Sequence, residues 1–170
     1  MYVGAGTPTF PSMRIYPEIP TPAAVVDLDR LDANLRRMQR YADQHGLRLR
    51  PHIKTHKARW IAEEQVRLGA SGVTVATPFE AAEIGTAAPE MLVAYPLFGS
   101  RATAIAGLAA ETGVSILVGL DSLEAVHALR GALGEAGATR PVGVLVEVDL
   151  GMGRCGVAGA DAAAEVARAC

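Results

Sequence analysis

Lys54 and Lys57 are the only lysines in a chain whose other long basic side chains are all arginine. Both fall in Arg48-Leu49-Arg50-Pro51-His52-Ile53-Lys54-Thr55-His56-Lys57, which reads as a short strand running into a basic, histidine-flanked loop. A deprotonated primary amine attacks a carbonyl and forms an imine; a guanidinium does not. An imine-forming lysine is therefore the first chemistry to consider, against the plainer reading of a surface lysine at a strand end. In strand parity Arg50, His52 and Lys54 share one face, and Leu49, Pro51 and Ile53 share the other. Desolvation and the like charge of Lys57 would both favour a neutral amine at Lys54. Lys57, at the opposite parity, is the weaker candidate.

His52 and His56 stand four apart, a metal-binding spacing when it falls on a helix. Pro51 and the β-branched Ile53 and Thr55 argue against a helix here, and no glutamate completes such a motif. A polar role beside Lys54 suits His52 better, and a loop hydrogen bond suits His56. A second stretch, Gly151-Met152-Gly153-Arg154-Cys155-Gly156, fits the dinucleotide pattern G-x-G-x-x-G after a strand and before a helix. That pattern normally opens the first unit of a nucleotide fold, whereas this is the sixth. The alternative is a tight loop presenting Arg154 at the same mouth as Lys54. A surface salt bridge from Arg154 to Asp149 or Asp161 also stays open. Cys155 has no histidine close in sequence and reads as a small core residue rather than a nucleophile.

Six strand–helix units, spaced by roughly 25 residues, would position these groups. The strands are expected at Ala23–Leu28, Leu47–Ile53, Gly72–Ala76, Met91–Leu97, Val114–Leu120 and Pro141–Asp149. Asp29 is placed to cap the first helix, which Gly46 closes. The others are expected at Ala58–Leu68, Pro78–Ile84, Ser100 to about Thr112, behind an Asp121/Glu124 capping box, and from about Asp161 onward. Such alternation makes a parallel α/β sheet, either an open doubly wound sheet or part of an eight-stranded barrel. An open sheet covered on both faces wants apolar residues on each. Here Arg50, His52 and Lys54, and likewise Glu147 and Asp149, put polar residues on one face near the C-terminal ends. That favours the barrel.

Composition bounds the rest. At 170 residues, 50% hydrophobic and 20% charged, the chain suits a soluble globular domain with a sizeable core. A net charge of −2 and 5% aromatic content give no reason to expect nucleic acid or an anionic membrane as partner. Cys155 and Cys170 are too few for a disulfide framework, so a reduced, cytoplasmic setting is expected. Residues 1–22, with five prolines, read as an irregular lead-in without a signal-peptide pattern. No apolar run reaches the ~20 residues needed to span a bilayer.

Three stretches in order resemble a known family: Thr21–Asp29, then Pro51-His52-Ile53-Lys54-Thr55-His56-Lys57, then Val146–Val157 with Glu147, Asp149 and Arg154. They are similar to the N-terminal barrel of the D-threonine aldolase and D-serine dehydratase group, fold-type III pyridoxal-phosphate enzymes related to alanine racemase. The resemblance covers about residue 20 to the end, and P-H-x-K-T-H-K is its most specific part. It implies an α/β fold: a (β/α)8 barrel of the alanine racemase N-terminal type, incomplete here at about six units over residues 23–170. It further implies that Lys54 carries pyridoxal 5'-phosphate as an imine, that Arg154 lies near the phenolic oxygen of the cofactor ring, and that His52 neighbours the cofactor. The implied activity is a lyase reaction on a D-amino acid, foremost aldol cleavage of a β-hydroxy-D-amino acid to glycine and an aldehyde. Dehydration or racemisation by the same family is the alternative, as is a non-catalytic binder of the cofactor. Family members continue into further barrel units and a β-domain, which bring phosphate-binding loops, a divalent metal (manganese or zinc) and a homodimer. None of those parts is in this sequence, so a fragment is expected, poorly stable and without turnover by itself.

Overall fold

A computed structural model of the chain describes Pro20 and residues 22–170. The rest of the expected lead-in lies outside the described residues. The first helix, α1 (Leu28–Gln44), is capped by Asp27 rather than by Asp29: Asp27 has extended backbone, and its Oδ1 accepts from Arg30 N at 3.0 Å. Asp29 then falls in the first turn, where a carboxylate meets the positive end of the helix dipole. Next come α2 (Arg59–Leu68), β1 (Val73–Val75), α3 (Pro78–Ile84), β2 (Glu90–Val93) and α4 (Ser100–Glu111). The chain continues through β3 (Ser115–Leu120), α5 (Leu123–Glu135), β4 (Gly143–Val146) and α6 (Ala160–Ala169).

The sheet is parallel throughout, in the order β1-β2-β3-β4, with Val73 opposite Met91, Met91 opposite Ile116 and Val118 opposite Val144. Each strand pairs with the next in sequence, and no switch point reverses the order, as a barrel requires and a doubly wound sheet does not. Burial agrees. Met91, Val93, Ile116, Val118 and Leu120 face the helices and are buried, whereas Leu92 and Leu117 are only half-buried and Leu145 is exposed. One face of the sheet is thus packed under helices and the other is open, the arrangement of an incomplete (β/α)8 barrel. Ile53, Ile84, Leu97 and Ile105 complete the packed side.

The first two expected strands are where the structure departs from the pattern. Ala23–Asp27 forms no strand and has no ladder partner among the described residues, and Val25, Val26 and Leu28 are exposed. A strand gains stability from neighbours on its edges and a covered face, and this segment has neither. Leu47–Ile53 reduces to one bridge, His52 to Thr74, with Ser71 N donating to Leu49 O at 2.9 Å and Thr74 N to Pro51 O at 2.7 Å. Pro51 has no N–H to return, so this ladder is one-sided. The chain then tightens into a 3₁₀ turn at Ile53–Thr55.

Among the other caps, Ser122 rather than Asp121 caps α5, accepting from Ala125 N at 3.2 Å. No helix among the described residues is long and apolar enough to cross a membrane.

Candidate active site

Lys54 sits in the 3₁₀ turn directly after the second-strand segment, with its side chain exposed. His52 caps that turn, its Nδ1 accepting from Lys54 N at 3.4 Å. Burial, and then the positive charge of Lys54, hold the His52 imidazole below its ordinary range, while Glu80 and a backbone bond to Thr74 pull the other way. A neutral imidazole that accepts at Nδ1 carries its proton at Nε2.

Both side chains line a cavity of about 440 Å³ at the carboxyl ends of the strands. Its other walls are Tyr95, following β2, and Glu147, Asp149, Arg154 and Cys155, following β4. The structure therefore brings Lys54, His52 and Arg154, about a hundred residues apart in sequence, to one concavity. An adjoining space of about 570 Å³ shares Tyr95, Arg154 and Cys155 and extends towards Arg101 and Asp121.

The glycine-rich loop closes on its own carboxylates. Asp149 Oδ1 accepts from the amides of Gly151 and Met152, both at 2.9 Å, and of Gly153 at 3.1 Å. These bonds, led by those from Gly153 and Gly151, hold the Asp149 carboxyl below its usual range. Gly156 N donates to Asp121 Oδ2 at 3.1 Å, and Val148 bridges Val157. Gly156 itself has φ +111, and a Cβ there would lie 2.4 Å from Asp149 N, so only glycine permits this return. The amides that a pyrophosphate would need are thus already paired, and α6 begins only at Ala160. This geometry goes against a dinucleotide site. It also removes the two salt bridges considered for Arg154. Among the described residues no carboxylate pairs with Arg154, whose Nη2 has only Met152 Sδ at 3.7 Å.

Three features of the site depart from the sequence reading. Cys155 is not core filling: it lies on the cavity wall, and its Sγ donates to Glu147 Oε2 at 2.8 Å. That carboxylate, together with burial, pushes the thiol up to about 11, so Cys155 is no nucleophile at neutral pH. Gly119 makes room for the carboxylate, since a Cβ there would lie 2.6 Å from Glu147 Oε1. Lys57 does not bear on Lys54 as a free charge, because its Nζ lies 3.5 Å from Oε1 of Glu80. Tyr95, inside the expected strand Met91–Leu97, and Glu80, inside the expected helix Pro78–Ile84, carried no further sequence signal.

Arg50, on the parity of His52 and Lys54, is turned to Glu90 at the other end of the strands, its Nε donating to Oε1 at 3.0 Å. His56 makes a loop hydrogen bond, its Nδ1 accepting from Ala58 N at 3.1 Å. Among the described residues no group of three histidine, cysteine, aspartate or glutamate side chains is arranged to hold a metal ion.

The ordered parallel strands, with a polar site at their carboxyl ends, define an α/β-barrel of the kind that carries its chemistry in strand-following loops. The chain belongs to the family described as "Alanine racemase, N-terminal domain", whose model matches residues 26–170. It is 40% identical over 144 residues to a D-threonine aldolase of Arthrobacter sp., covering 82% of this chain and 36% of that protein. To a D-threo-3-hydroxyaspartate dehydratase of Delftia sp. it is 39% identical over 142 residues, covering 83% and 36%. Among solved structures, the D-threonine aldolase of Filomicrobium marinum superposes with a TM-score of 0.81 at 36% identity, over 89% of this chain and 40% of that one. The chain therefore spans well under half the length of each of these relatives.

Proposed function

We propose that residues 23–170 form the cofactor-carrying part of a pyridoxal-phosphate lyase that acts on D-amino acids, most closely a D-threonine aldolase. The observation that carries this reading is the shared cavity: a lysine amine on one wall and a guanidinium without a carboxylate partner on another. Its volume lies within the range of small-molecule sites, ~300–1,000 Å³. Asp149 is engaged by loop amides and Glu147 by a thiol, which leaves the amine and the guanidinium as the cavity's charged groups without a hydrogen-bonded counter-ion, as an anionic aldehyde would require.

Lys54 Nζ would hold the cofactor covalently, and the same amine, when free, can hold or move a proton at the substrate. Arg154 would donate to the ring's phenolic oxygen, and neutral His52 would border the ring without adding charge. When bound, pyridoxal phosphate supplies an electron sink for charge developing on the substrate. A β-hydroxy-D-amino acid would then be cleaved at Cα–Cβ to glycine and an aldehyde. The similarity to a dehydratase favours one second reading, loss of the β-hydroxyl as water to give a 2-oxo acid and ammonia. A divalent metal, manganese or zinc, and a homodimeric assembly belong to the same proposal, with ligands expected from segments beyond this sequence.

Borohydride reduction in the presence of pyridoxal phosphate, followed by peptide mapping, tests the site. Label on Lys54 that Lys54→Ala abolishes, and that still falls on Lys54 in Lys57→Ala at saturating pyridoxal phosphate, is the expected result. Label on Lys57 alone, or on neither lysine, overturns it.

A further inference from the structure

Behind the Lys54 turn lies a charge that the proposed chemistry does not use. Glu80 is only 2% exposed. Thr77 Oγ1 caps α3 by accepting from Glu80 N at 3.2 Å, and a glutamate at this helical position ordinarily turns back onto the amide of the cap residue. Here Glu80 Oε2 instead accepts from Ala76 N at 2.7 Å, one residue earlier, and Oε1 is left facing Lys57 Nζ at 3.5 Å. A buried carboxylate held by one amide still needs a counter-charge, and Lys57 supplies it.

Lys57 is itself unusual. Its φ of +51 makes it the one non-glycine residue with positive φ among the described residues. A side chain with a Cβ adopts that conformation only when its surroundings impose it. Lys57 N donates to Ile53 O at 2.8 Å and His56 N to the same carbonyl at 3.1 Å, so the left-handed residue closes the turn that carries Lys54.

We propose that Glu80 is a positioning residue for Lys54: by holding Lys57 in the left-handed conformation it closes the 53–57 turn and keeps the Lys54 amine at the cavity. The proposal rests on the reading of Lys54 as the covalent cofactor residue. The same carboxylate acts on His52, so one buried charge serves both cavity residues of the motif.

Two readouts test it, one of them independent of the cofactor. The first is hydrogen exchange at the His56 and Lys57 amides in the cofactor-free chain. The second is the yield of borohydride-fixed label on Lys54 at subsaturating pyridoxal phosphate. Glu80→Gln keeps the volume and the bond to Ala76 N but removes the charge, while Lys57→Ala removes the partner. Each is expected to lower protection and labelling by about tenfold, the order of the left-handed penalty for a residue with a Cβ. Glycine carries no such penalty, so Lys57→Gly combined with Glu80→Gln is expected to restore both readouts to within about twofold of the parent chain. A simple helix-capping role for Glu80 would give no rescue by glycine at position 57. Failure of that rescue, or an unchanged Lys57→Ala chain, overturns the proposal. If the parent chain takes no label on Lys54, the cofactor reading falls, and the exchange arm still decides whether Glu80 closes the turn. Lys57 is exposed, so if Glu80→Gln fails to fold the single variants Lys57→Ala, expected to lower both readouts, and Lys57→Gly, expected to keep them within about twofold of the parent, still decide the proposal.

Discussion

Replacing Glu147 by glutamine isolates what the carboxylate does to the cavity wall. In the parent chain the Cys155 thiol donates to Glu147 Oε2 at 2.8 Å, and its pKa is pushed from the ordinary 9.0 up to about 11. The hydrogen bond to the carboxylate is the largest cause, burial the next and the charge of Glu147 the third. Glu147→Gln removes the first and third and leaves burial, so the thiol returns most of the way towards 9.0. At pH 8 a fall of up to about two units raises the thiolate fraction by up to ~100-fold, but a less basic thiolate is also a weaker nucleophile. With a Brønsted coefficient of ~0.5 the loss is up to ~10-fold, which leaves a net acceleration of up to ~10-fold. Iodoacetamide labelling at pH 8, read by peptide mapping, measures this directly, with the exposed Cys170 in the same chain as reference. Cys155 should react far more slowly than Cys170 in the parent chain and up to about tenfold faster in the variant. Equal rates at the two cysteines in the parent chain, or no change in Glu147→Gln, would refute the thiol–carboxylate pair. The stability linkage has a definite sign: a thiol whose pKa is raised by folding stabilises the fold below pH 9 and loses that contribution as pH rises towards 11. Glu147→Gln should flatten the alkaline limb of the denaturation profile.

Gly119→Ala approaches the same contact from the other side. A Cβ 2.6 Å from Glu147 Oε1 forces the carboxylate to move, so Cys155 labelling should speed up although Glu147 is still present. For His52, folding depresses the pKa, so its contribution to stability is present above pH 6.5 and lost as pH falls through the lower folded value. Lys54→Met removes the second cause of that depression, and the midpoint of the His52 ring signal by NMR should move upward. Asp149→Asn should accelerate hydrogen exchange at the amides of Gly151, Met152 and Gly153. Ser122→Ala should cost about 1 kcal/mol in chemical denaturation through loss of the α5 cap. Asp121→Ala should leave that helix intact and instead free the Gly156 amide, again visible by exchange.

Much of the architecture is legible from periodicity because β1 to β4 and α2 to α6 satisfy local rules and tertiary packing together. Pro78 begins α3 and Gly69 ends α2 as their chemistry dictates, and alternating burial along β2 distinguishes the helix-covered face from the open one. Ala23–Leu28 has an equally good apolar pattern and yet forms no strand. Periodicity reports what a segment can bury, not whether a neighbour is there to bury it against. The ends of the Leu47–Ile53 segment blur for a different reason, since Pro51 withholds a donor and His52 turns its ring back onto the Lys54 amide. The two misassigned caps follow the same logic: Asp27 and Asp29, or Asp121 and Ser122, are chemically able alternatives, and the choice is made by where the chain leaves the sheet.

The candidate site divides along the same line. Its cations were readable from type and spacing, because an amine in an otherwise arginine chain and a lone arginine in a glycine loop are unusual wherever they fall. Its anions were not. Asp149 could have partnered Arg154, but the amides of Gly151, Met152 and Gly153, all within four residues of it, hold its carboxylate instead. Glu147 became a thiol acceptor because Gly119, on the neighbouring strand, leaves space for it. Glu80 became the counter-charge of Lys57 because α3 starts immediately after β1 and turns its first carboxylate back under the 53–57 turn. In each case the acidic side chain is satisfied by groups that only the folded backbone brings near. Glu147 and Asp149 stay on the cavity wall but are bonded to a thiol and to loop amides, whereas Lys54 and Arg154 have no carboxylate partner among the described residues. Removing one of these carboxylate charges, as Glu147→Gln or Asp149→Asn does, therefore tests the site through its least visible members.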